Sequence, residues 1–279
     1  MGPRIASYLD EWFGAGWVVP DYGIIHAVAI LLCLWLAIRE AERRGLDAAQ
    51  VLRIGLVTVA AALVGSRLFI VVQYAGWFVE HPLDVFAWWK WGTASSGAYI
   101  GGMAGALIAC RLWRFPALRF LDLAAPAVPL AIGLGRIGCF MNGCCYGTLC
   151  DLPWGVRFPE GSGAHEAHLE AGLIQAGGLS LPVHPTQLYE AFYAFLLFGI
   201  ITICRRYRRR EGELAALLFL LYPIGRFLNE FLRADERGSI GLVSFPQALA
   251  LAAMTVSAIF LLKSASPAGE IGVSTDTNI

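Results

Sequence analysis

The sequence predicts an all-α integral membrane protein with seven transmembrane helices, its N-terminus outside the cell and its C-terminus in the cytoplasm. Hydrophobic residues make up 57% of the 279 residues and charged residues only 15%, whereas about a quarter of an ordinary soluble domain is charged. Seven apolar runs are long enough, at about 17–25 residues, to cross a bilayer as helices. Basic and acidic residues are equal in number, 21 each, which argues against a basic nucleic-acid-binding surface. Seven cysteines are too few for a disulfide-rich secreted module of this length.

The seven predicted spans are joined by connections that differ in their content of basic residues. The spans cover residues 22–38, 51–74, 93–110, 121–141, 188–204, 213–231 and 245–262. Twelve Lys and Arg residues fall in the first, third and fifth connections and after the last span, against five in the N-terminal segment and the other connections. Because loops rich in Lys and Arg stay in the cytoplasm, this bias predicts the orientation.

The ends of the spans define the predicted domains. The first span starts late and ends at Arg39, unlike the short apolar core of a cleavable signal peptide, so it is predicted to be a retained helix. Residues 1–263 are predicted to form one seven-helix domain, in which residues 142–187 form a small extracytoplasmic cap between helices 4 and 5. The small, polar residues 264–279 are predicted to be a disordered cytoplasmic tail.

Three arginines lie inside the second, fourth and sixth spans. Arg67 lies seven residues before the end of its span, and Arg136 and Arg226 each lie five before theirs. With a rise of about 1.5 Å per residue, all three are about 8–10 Å below the outer interface. A charge at the centre of a membrane helix costs at least about 2.5–3.5 kcal/mol, so a shared polar cavity is expected. Because guanidinium suits forked binding of phosphate, the cavity is predicted to bind an anionic phospholipid. The alternative is structural ion pairs with Glu190 and Glu230.

Glycines crowd the third and fourth spans. Small residues let membrane helices approach closely, and this packing role is the alternative to a functional role for Gly97. Three further glycines lie where the fourth span meets the outer loop and would allow a broken helix end that lines the cavity. They are Gly138, Gly143 and Gly147.

Four short motifs follow one another along the chain. Residues 135–147 read GRIGCFMNGCCYG, residues 184–190 read HPTQLYE, residues 226–233 read RFLNEFLR, and Asp21 is followed by Tyr22 and Gly23. In order and spacing they resemble elements of the bacterial prolipoprotein diacylglyceryl transferases. Those elements are G-R-x-G-N-F-x-N-x-E-x-x-G, H-P-S-Q-L-Y-E, R-x-x-x-E-x-x-R and the Tyr-Gly that opens the first helix. The resemblance covers roughly residues 20–262.

That family transfers the diacylglyceryl group of phosphatidylglycerol to the thiol of a lipobox cysteine in a preprolipoprotein and releases glycerol phosphate. The resemblance implies this activity here, together with the family's seven helices and external N-terminus. It implies that Arg136 and Arg226 bind and polarise the phosphate, and that Gly147 permits a loop turn. The residues that it implies for the rest of the polar wall are Arg67, Tyr22, Asn142 and Glu230.

Three positions depart from the family pattern. The H-G-G-x-x-G motif of the third helix begins here with Ser96, and a serine hydroxyl of ordinary pKa cannot replace imidazole as a base near pH 7. Cys139 stands where the pattern has the asparagine after R-x-G, and Cys144, followed by Cys145, stands where it has the glutamate. Three thiols therefore lie beside Arg136 in the sequence.

The cysteines near the predicted outer face allow several interpretations. Cys139, Cys144, Cys145 and Cys150 lie on an oxidising side of the membrane, where a disulfide is one interpretation. The C-x4-C-C spacing is not usual for zinc, and neither a metal nor another cofactor is predicted. Neighbouring arginines would favour a reactive thiolate, which would attack the lipid or bind a soft electrophile.

These observations together define the predicted site. The predicted catalytic residues are Arg136, Arg226, Ser96, Cys139, Cys144, Cys145 and His184. The predicted substrate-binding residues are Tyr22, Arg67, Gly97, Asn142, Gly147, Tyr189, Glu230 and Arg233. The expected partners are phosphatidylglycerol or a similar anionic phospholipid and a prolipoprotein or other thiol acceptor, and no nucleic acid. The expected location is the bacterial inner membrane, with the site toward the outer leaflet. The alternatives are a same-fold paralogue with another acceptor and a non-catalytic binder or transporter of phospholipid or a thiol-reactive solute.

Overall fold

Helices joined by short connections and one long loop make up most of the described chain. The computed structural model describes residues 21–87, 94–234, 239–240 and 243–265. Its helices are α1 (Asp21–Arg43), α2 (Ala48–Gln73), α3 (Ala75–Glu80), α4 (Ser95–Leu112), α5 (Ala117–Ala124), α6 (Ala127–Asn142), α7 (Gly163–Glu170), α8 (Thr186–Cys204), α9 (Glu213–Glu230) and α10 (Phe245–Ala265). A 3-10 helix, Pro82–Phe86, follows α3, and β1 (Ser239–Ile240) pairs antiparallel with β2 (Val243–Ser244). Each predicted span thus contains a helix or, at α5 and α6, a helix pair.

Four of the described helices are long and apolar enough to cross a membrane: α1, α2, α8 and α10. The pair α5 and α6, bent by 45° at a short break, makes a fifth if it is counted as one span. Helix α9 carries Glu213, Arg226 and Glu230 within its 18 residues, and α4 contains four glycines and two serines. The prediction of an all-α integral membrane protein is confirmed at this level, while the number seven and the orientation stay predictions.

Helices α2 and α4 approach each other through glycine. A Cβ added at Gly97 would lie 2.3 Å from the carbonyl oxygen of Gly65, and one at Gly101 would lie 2.4 Å from that of Ala61. No side chain fits such a distance without moving the helices apart. At Gly97 the structure therefore provides close helix packing, the role that small residues commonly have in membranes.

A buried aspartate connects the bent pair to the start of α9. Asp122 on α5 is fully buried and accepts hydrogen bonds from the backbone N–H groups of Gly212 (2.9 Å) and Ala215 (3.0 Å). The guanidinium of Arg208 donates a third at 2.8 Å. Since the first N–H groups of a helix have no partner inside it, Asp122 caps α9 from a different helix.

The loop 143–185, between α6 and α8, has a small core of its own. Tyr146, Phe158, Ala164 and Val183 are buried together in it. Ser162 begins α7 by accepting a hydrogen bond from the backbone N–H of His165. At the other end of the chain, α10 continues to Ala265, two residues into the predicted tail, and the rest of that tail lies outside the described residues.

Candidate active site

Arg136 and Glu190 form a buried ion pair between α6 and α8. The guanidinium Nη2 lies 3.1 Å from Oε1 of the carboxylate, and the two side chains are only 8% and 1% exposed. Helix α6 packs against both α1 and α8, which brings the pair into the interior. A buried charge needs such a partner because isolated ions are poorly tolerated away from water.

A second ion pair lies on α9. Arg226 and Glu230 are one helical turn apart, with Nη1 2.5 Å from Oε2, and both are nearly buried. Glu230 also accepts a hydrogen bond from Oγ of Ser244 at 2.9 Å and lies 4.0 Å from Arg233. The other terminal nitrogen of Arg226, Nη2, is buried and has no hydrogen-bond partner among the described residues. That nitrogen is a donor still available for an anion.

Glu190 connects the two pairs. Its Oε1 accepts a hydrogen bond from the Tyr222 hydroxyl at 2.8 Å, and its Oε2 accepts one from Nδ2 of Asn229 at 3.2 Å. The Tyr99 and Tyr222 hydroxyls are 3.1 Å apart, which extends the chain of contacts to α4. Sequence reasoning missed these three polar residues. Asn229 lies inside the 226–233 motif and offered a signal, whereas nothing in the sequence pairs Tyr99 with Tyr222.

The resulting cluster brings three arginines and two glutamates together. Glu190 lies within electrostatic range of Arg226 and Arg233 as well as Arg136. We call Arg136, Glu190, Arg226, Glu230 and Arg233 the arginine–glutamate network; it holds three guanidinium groups and two carboxylates. The two ion pairs foreseen as the structural alternative do form. They still leave Nη2 of Arg226 with no hydrogen-bond partner among the described residues, in a site of low exposure where an anion is stabilised.

Arg67 lies in a different environment from the network. It donates hydrogen bonds to the backbone oxygens of Val85 (2.8 Å), Ala87 (3.1 Å) and Asp84. Its guanidinium also lies 5.5 Å from the centre of the Phe78 ring. These contacts bind the end of α2 to the segment after α3. Carbonyl oxygens thus engage Arg67, and the guanidinium that joins Arg136 and Arg226 in the network is that of Arg233. A ligand shared by Arg67, Arg136 and Arg226 stays a prediction.

Three thiols meet where α6 ends. The sulfur atoms of Cys139, Cys144 and Cys145 all lie within 4.8 Å of one another. All seven cysteines of the chain are free thiols, and buried Cys150 lies outside this group. Hydrogen bonds from the Cys139 and Cys144 thiols, with Arg233 and Arg136 nearby, hold the pKa of Cys145 well below its ordinary value.

Gly147 lies between two segments that carry predicted site residues. It donates a backbone hydrogen bond to the His184 carbonyl at 2.9 Å, and a Cβ there would lie 2.6 Å from the Leu232 carbonyl oxygen. Only glycine fits so close an approach. His184 Nδ1 lies 3.2 Å from the Tyr189 hydroxyl, so the imidazole and this phenol share a hydrogen bond. Gly147 therefore lets two backbone segments pack closely against it, the one that carries His184 and the one that carries Leu232 and Arg233.

The remaining predicted residues lie around the same end of the bundle. Ser96 is buried in the first turn of α4, and Asn142 is the last residue of α6, two residues before Cys144. The Tyr22 side chain lies outside the described residues. The ring of His26 on α1 lies against Gly135, next to Arg136.

A cavity of about 230 Å³ opens between α8 and α9 beside the network. Its walls are largely apolar apart from Glu190 and Asn229. The lining residues are Tyr189, Glu190, Tyr193, Gly225, Leu228, Asn229 and Leu232. A largely apolar groove with the polar side chains of Glu190 and Asn229 in its wall fits an amphipathic ligand.

Comparison with known proteins identifies the family. The family model described as prolipoprotein diacylglyceryl transferase matches residues 12–263. The chain belongs to this family. A relative from Symbiobacterium thermophilum is 34% identical over 258 residues, which cover 90% of this chain and 92% of the relative. A relative from Clostridium tetani is 30% identical over 87% of this chain and 91% of its own length. One from Geobacter sulfurreducens is 32% identical over 81% of both. All three are named phosphatidylglycerol–prolipoprotein diacylglyceryl transferase.

The prolipoprotein diacylglyceryl transferase motifs lie together in this member of the family. The segment 135–147 supplies Arg136 and the three thiols, the segment 184–190 supplies His184 and Glu190, and the segment 226–233 supplies the other two arginines of the network. Such an arrangement can bind an anion, stabilise charge that develops on it, and hold a sulfur nucleophile close by.

Proposed function

We propose that the chain transfers the diacylglyceryl group of phosphatidylglycerol to the thiol of a prolipoprotein cysteine or a comparable acceptor, with release of glycerol phosphate. The observation that carries this proposal is the buried arginine–glutamate network at the point where the family motifs meet, in which Nη2 of Arg226 has no hydrogen-bond partner among the described residues. Family membership and the names of the relatives support the same reaction.

The network supplies the phosphate site. Arg136 and Arg226 would bind the phosphodiester, and Nη2 of Arg226 is a donor with no described partner. Arg233 adds the third guanidinium, and Glu190 and Glu230 hold the arginines in place before the lipid arrives. Such preorganised charge favours a transition state in which negative charge grows on the departing phosphate.

The glyceryl group and the first carbons of an acyl chain would occupy the cavity between α8 and α9. That cavity is apolar along Tyr193, Leu228 and Leu232 and ends at Glu190 and Asn229. The glyceryl carbon that reacts would then lie between the apolar groove and the guanidinium groups. Displacement breaks the carbon–oxygen bond to phosphate and forms a carbon–sulfur bond to the acceptor.

The topology proposed for this reaction has seven transmembrane helices and an external N-terminus. The helices found in every predicted span and the basic residues of the odd-numbered connections support it. Residues 1–263 form the transferase domain of this proposal, the segment 142–187 is its extracytoplasmic cap, and residues 264–279 are a cytoplasmic tail. The site would face the outer leaflet of the bacterial inner membrane.

Release of glycerol phosphate from labelled phosphatidylglycerol tests the proposal. Full-length protein in lipid nanodiscs receives a lipobox peptide with one cysteine, or the same peptide with serine as the control. Release is expected with the cysteine peptide, and Arg136→Lys should lower it, whereas Arg119→Lys in an exposed ion pair should not. Lipid binding without release, in folded protein, would contradict transfer and favour the phospholipid binder. Release with a small thiol but not with the peptide would favour a paralogue with another acceptor.

A further inference from the structure

The three thiols beside the network form a compact set of soft ligands. Cys139 belongs to the last turn of α6, and Cys144 and Cys145 follow the helix directly. Their sulfur atoms lie within 4.8 Å of one another. In tetrahedral zinc sites a Zn–S bond is about 2.3 Å, which places two ligating sulfurs about 3.8 Å apart. Small side-chain rotations would therefore bring all three onto one ion.

The backbone holds the cluster in an uncommon conformation. Gly143 (φ 68°) and Cys145 (φ 63°) both have left-handed backbones, and a left-handed cysteine is strained. The two left-handed residues turn the chain back so that Cys144 and Cys145 face Cys139. Such strain persists only where surrounding structure enforces it, and it is concentrated at functional sites.

Two fully buried side chains at the start of α8 enforce this conformation. Nε2 of Gln187 donates a hydrogen bond to the Cys144 carbonyl at 2.7 Å, and Oγ1 of Thr186 donates one to the Cys145 carbonyl at 2.7 Å. The loop is therefore fixed independently of any disulfide. A disulfide would in any case use only two of the three sulfurs, and it would leave the third unexplained.

The surroundings offset the charge that a thiolate site would carry. Arg136 and Arg233 lie within electrostatic range of Cys145, and the Arg233 side chain is 2% exposed. Three thiolates on a divalent cation leave one net negative charge, which these guanidinium groups stabilise. Cys139 also lies three residues after Arg136 on the same helix, so the thiol cluster and the phosphate site share one face of α6.

We propose that Cys139, Cys144 and Cys145 bind one Zn²⁺ as thiolates and leave its fourth position for the thiol of the acceptor. Three protein ligands and one open position are typical of catalytic zinc, whereas structural zinc has four. This inference rests on the proposed transfer reaction. It gives that reaction a means of activating the acceptor without a general base, since the Ser96 hydroxyl cannot accept a thiol proton near neutral pH.

The step is balanced without any change in oxidation state. The acceptor thiol loses its proton to water when it binds Zn²⁺, because a coordinated thiol is deprotonated. Its sulfur lone pair then forms the bond to the glyceryl carbon. The bond from that carbon to the phosphate oxygen breaks, and its electron pair leaves on glycerol phosphate. The thioether product is neutral and a weaker ligand, so it leaves the metal.

Zinc binding is measured directly on the full-length protein. Protein purified in detergent with a reductant is stripped of metal and titrated with Zn²⁺ alone against a chromophoric chelator. We expect one ion per chain, with three sulfur neighbours at about 2.3 Å by X-ray absorption. Adding the lipobox peptide should raise the sulfur number to four, and the serine peptide should not.

Variants separate this site from other cysteines. Cys144→Ser should weaken zinc affinity roughly a hundredfold, because a neutral hydroxyl is a poor ligand for this cation. Cys150→Ala, a buried cysteine of the same loop but outside the cluster, should leave affinity unchanged. Protein that retains no zinc while all three thiols remain reduced and open to alkylation would overturn the proposal. A disulfide between two of them in native membranes would also overturn it.

The same preparation distinguishes this inference from the proposed function. Metal-free protein should bind phosphatidylglycerol normally and transfer at least a hundredfold more slowly. Equal transfer with and without zinc would overturn the activation role and leave the transferase activity standing. Stoichiometric zinc with a fourth sulfur from the peptide, but no release of glycerol phosphate in any form, would instead overturn the transferase activity.

Discussion

Glu190→Gln tests whether the arginine–glutamate network is built for a phosphate. The substitution keeps the shape of the side chain and an oxygen that can accept the Tyr222 hydrogen bond, and it removes the negative charge. Arg136, 8% exposed and 3.1 Å from that charge, then lacks its nearest counter-ion. Removing one partner of a buried ion pair costs about 3–5 kcal/mol. We expect a loss of that size in the free energy of unfolding in neutral detergent.

Phosphatidylglycerol should reverse much of this loss. Its phosphate can take the place of the missing carboxylate, so the variant should bind the lipid more tightly than the wild type does. Ligand at 100 times its Kd stabilises a protein by about 2.7 kcal/mol. Thermal unfolding, monitored with increasing phosphatidylglycerol and with diacylglycerol as the uncharged control, measures the effect. The expected result is a larger gain for Glu190→Gln than for the wild type.

A matched variant excludes a general effect of charge removal. Glu211 forms an ion pair with Arg119, but the two side chains are 39% and 38% exposed. Exposed pairs contribute at most about 1 kcal/mol, so Glu211→Gln should change stability little and should not alter the response to lipid. The reasoning is refuted if Glu190→Gln is as stable as the wild type, or if both gain equally from phosphatidylglycerol.

Three further outcomes follow from single contacts. Arg226→Lys keeps the charge beside Glu230 but removes the forked pair of guanidinium nitrogens. In the release assay, KM for phosphatidylglycerol should therefore rise about tenfold, which corresponds to about 1.4 kcal/mol. An unchanged KM would argue against a phosphate on Nη2. Gly97→Ala places a Cβ 2.3 Å from a backbone oxygen of α2, so thermal unfolding should show a loss of about 1–3 kcal/mol, and equal stability would contradict the close helix contact. Burial, with His165 nearby, lowers the pKa of His168, whose Nδ1 accepts a hydrogen bond from the Leu181 N–H. The folded chain therefore binds that proton less well than the unfolded chain, so the loop 143–185 should lose stability as pH falls below about 6.5. Hydrogen exchange at pH 7.5 and 5 should show this in the wild type but less in His168→Gln.

The apolar pattern of the sequence predicted where the helices lie better than where they end. Each predicted span contains a helix because a run of apolar residues leaves the backbone no partner but itself in lipid. The break between α5 and α6 was not visible in hydropathy, although Pro126 lies in it. Nor was the capping of α9 by Asp122 visible in the sequence, because its partners Gly212 and Ala215 lie about 90 residues away and are brought to it by tertiary packing.

Some contacts of the candidate site could likewise be predicted from the sequence, and others could not. The pairs of Arg136 with Glu190 and Arg226 with Glu230 were foreseeable, because a buried charge requires a partner and few acidic residues lie at that depth. The anchoring of Arg67 by carbonyl oxygens was not foreseeable. Every residue has a backbone carbonyl, and the sequence does not show which carbonyls lie near the guanidinium. The thiol cluster depends on two left-handed residues, one of which is a cysteine and carries no turn signal.

Helix α6 explains why the phosphate and thiol sites would work as one unit. Arg136 and Cys139 are three residues apart on it, so their separation is set by helix geometry and not by a flexible loop. The helix is itself fixed on both sides by glycines, because a Cβ at Gly133 would lie 2.6 Å from the Phe195 ring and one at Gly135 would lie 3.2 Å from His26. A shift of α6 would therefore move the phosphate ligand and the sulfur ligand together. Close packing and catalysis are thus not alternative explanations of these glycines. Close packing fixes the positions of Arg136 and Cys139, and catalysis requires those positions.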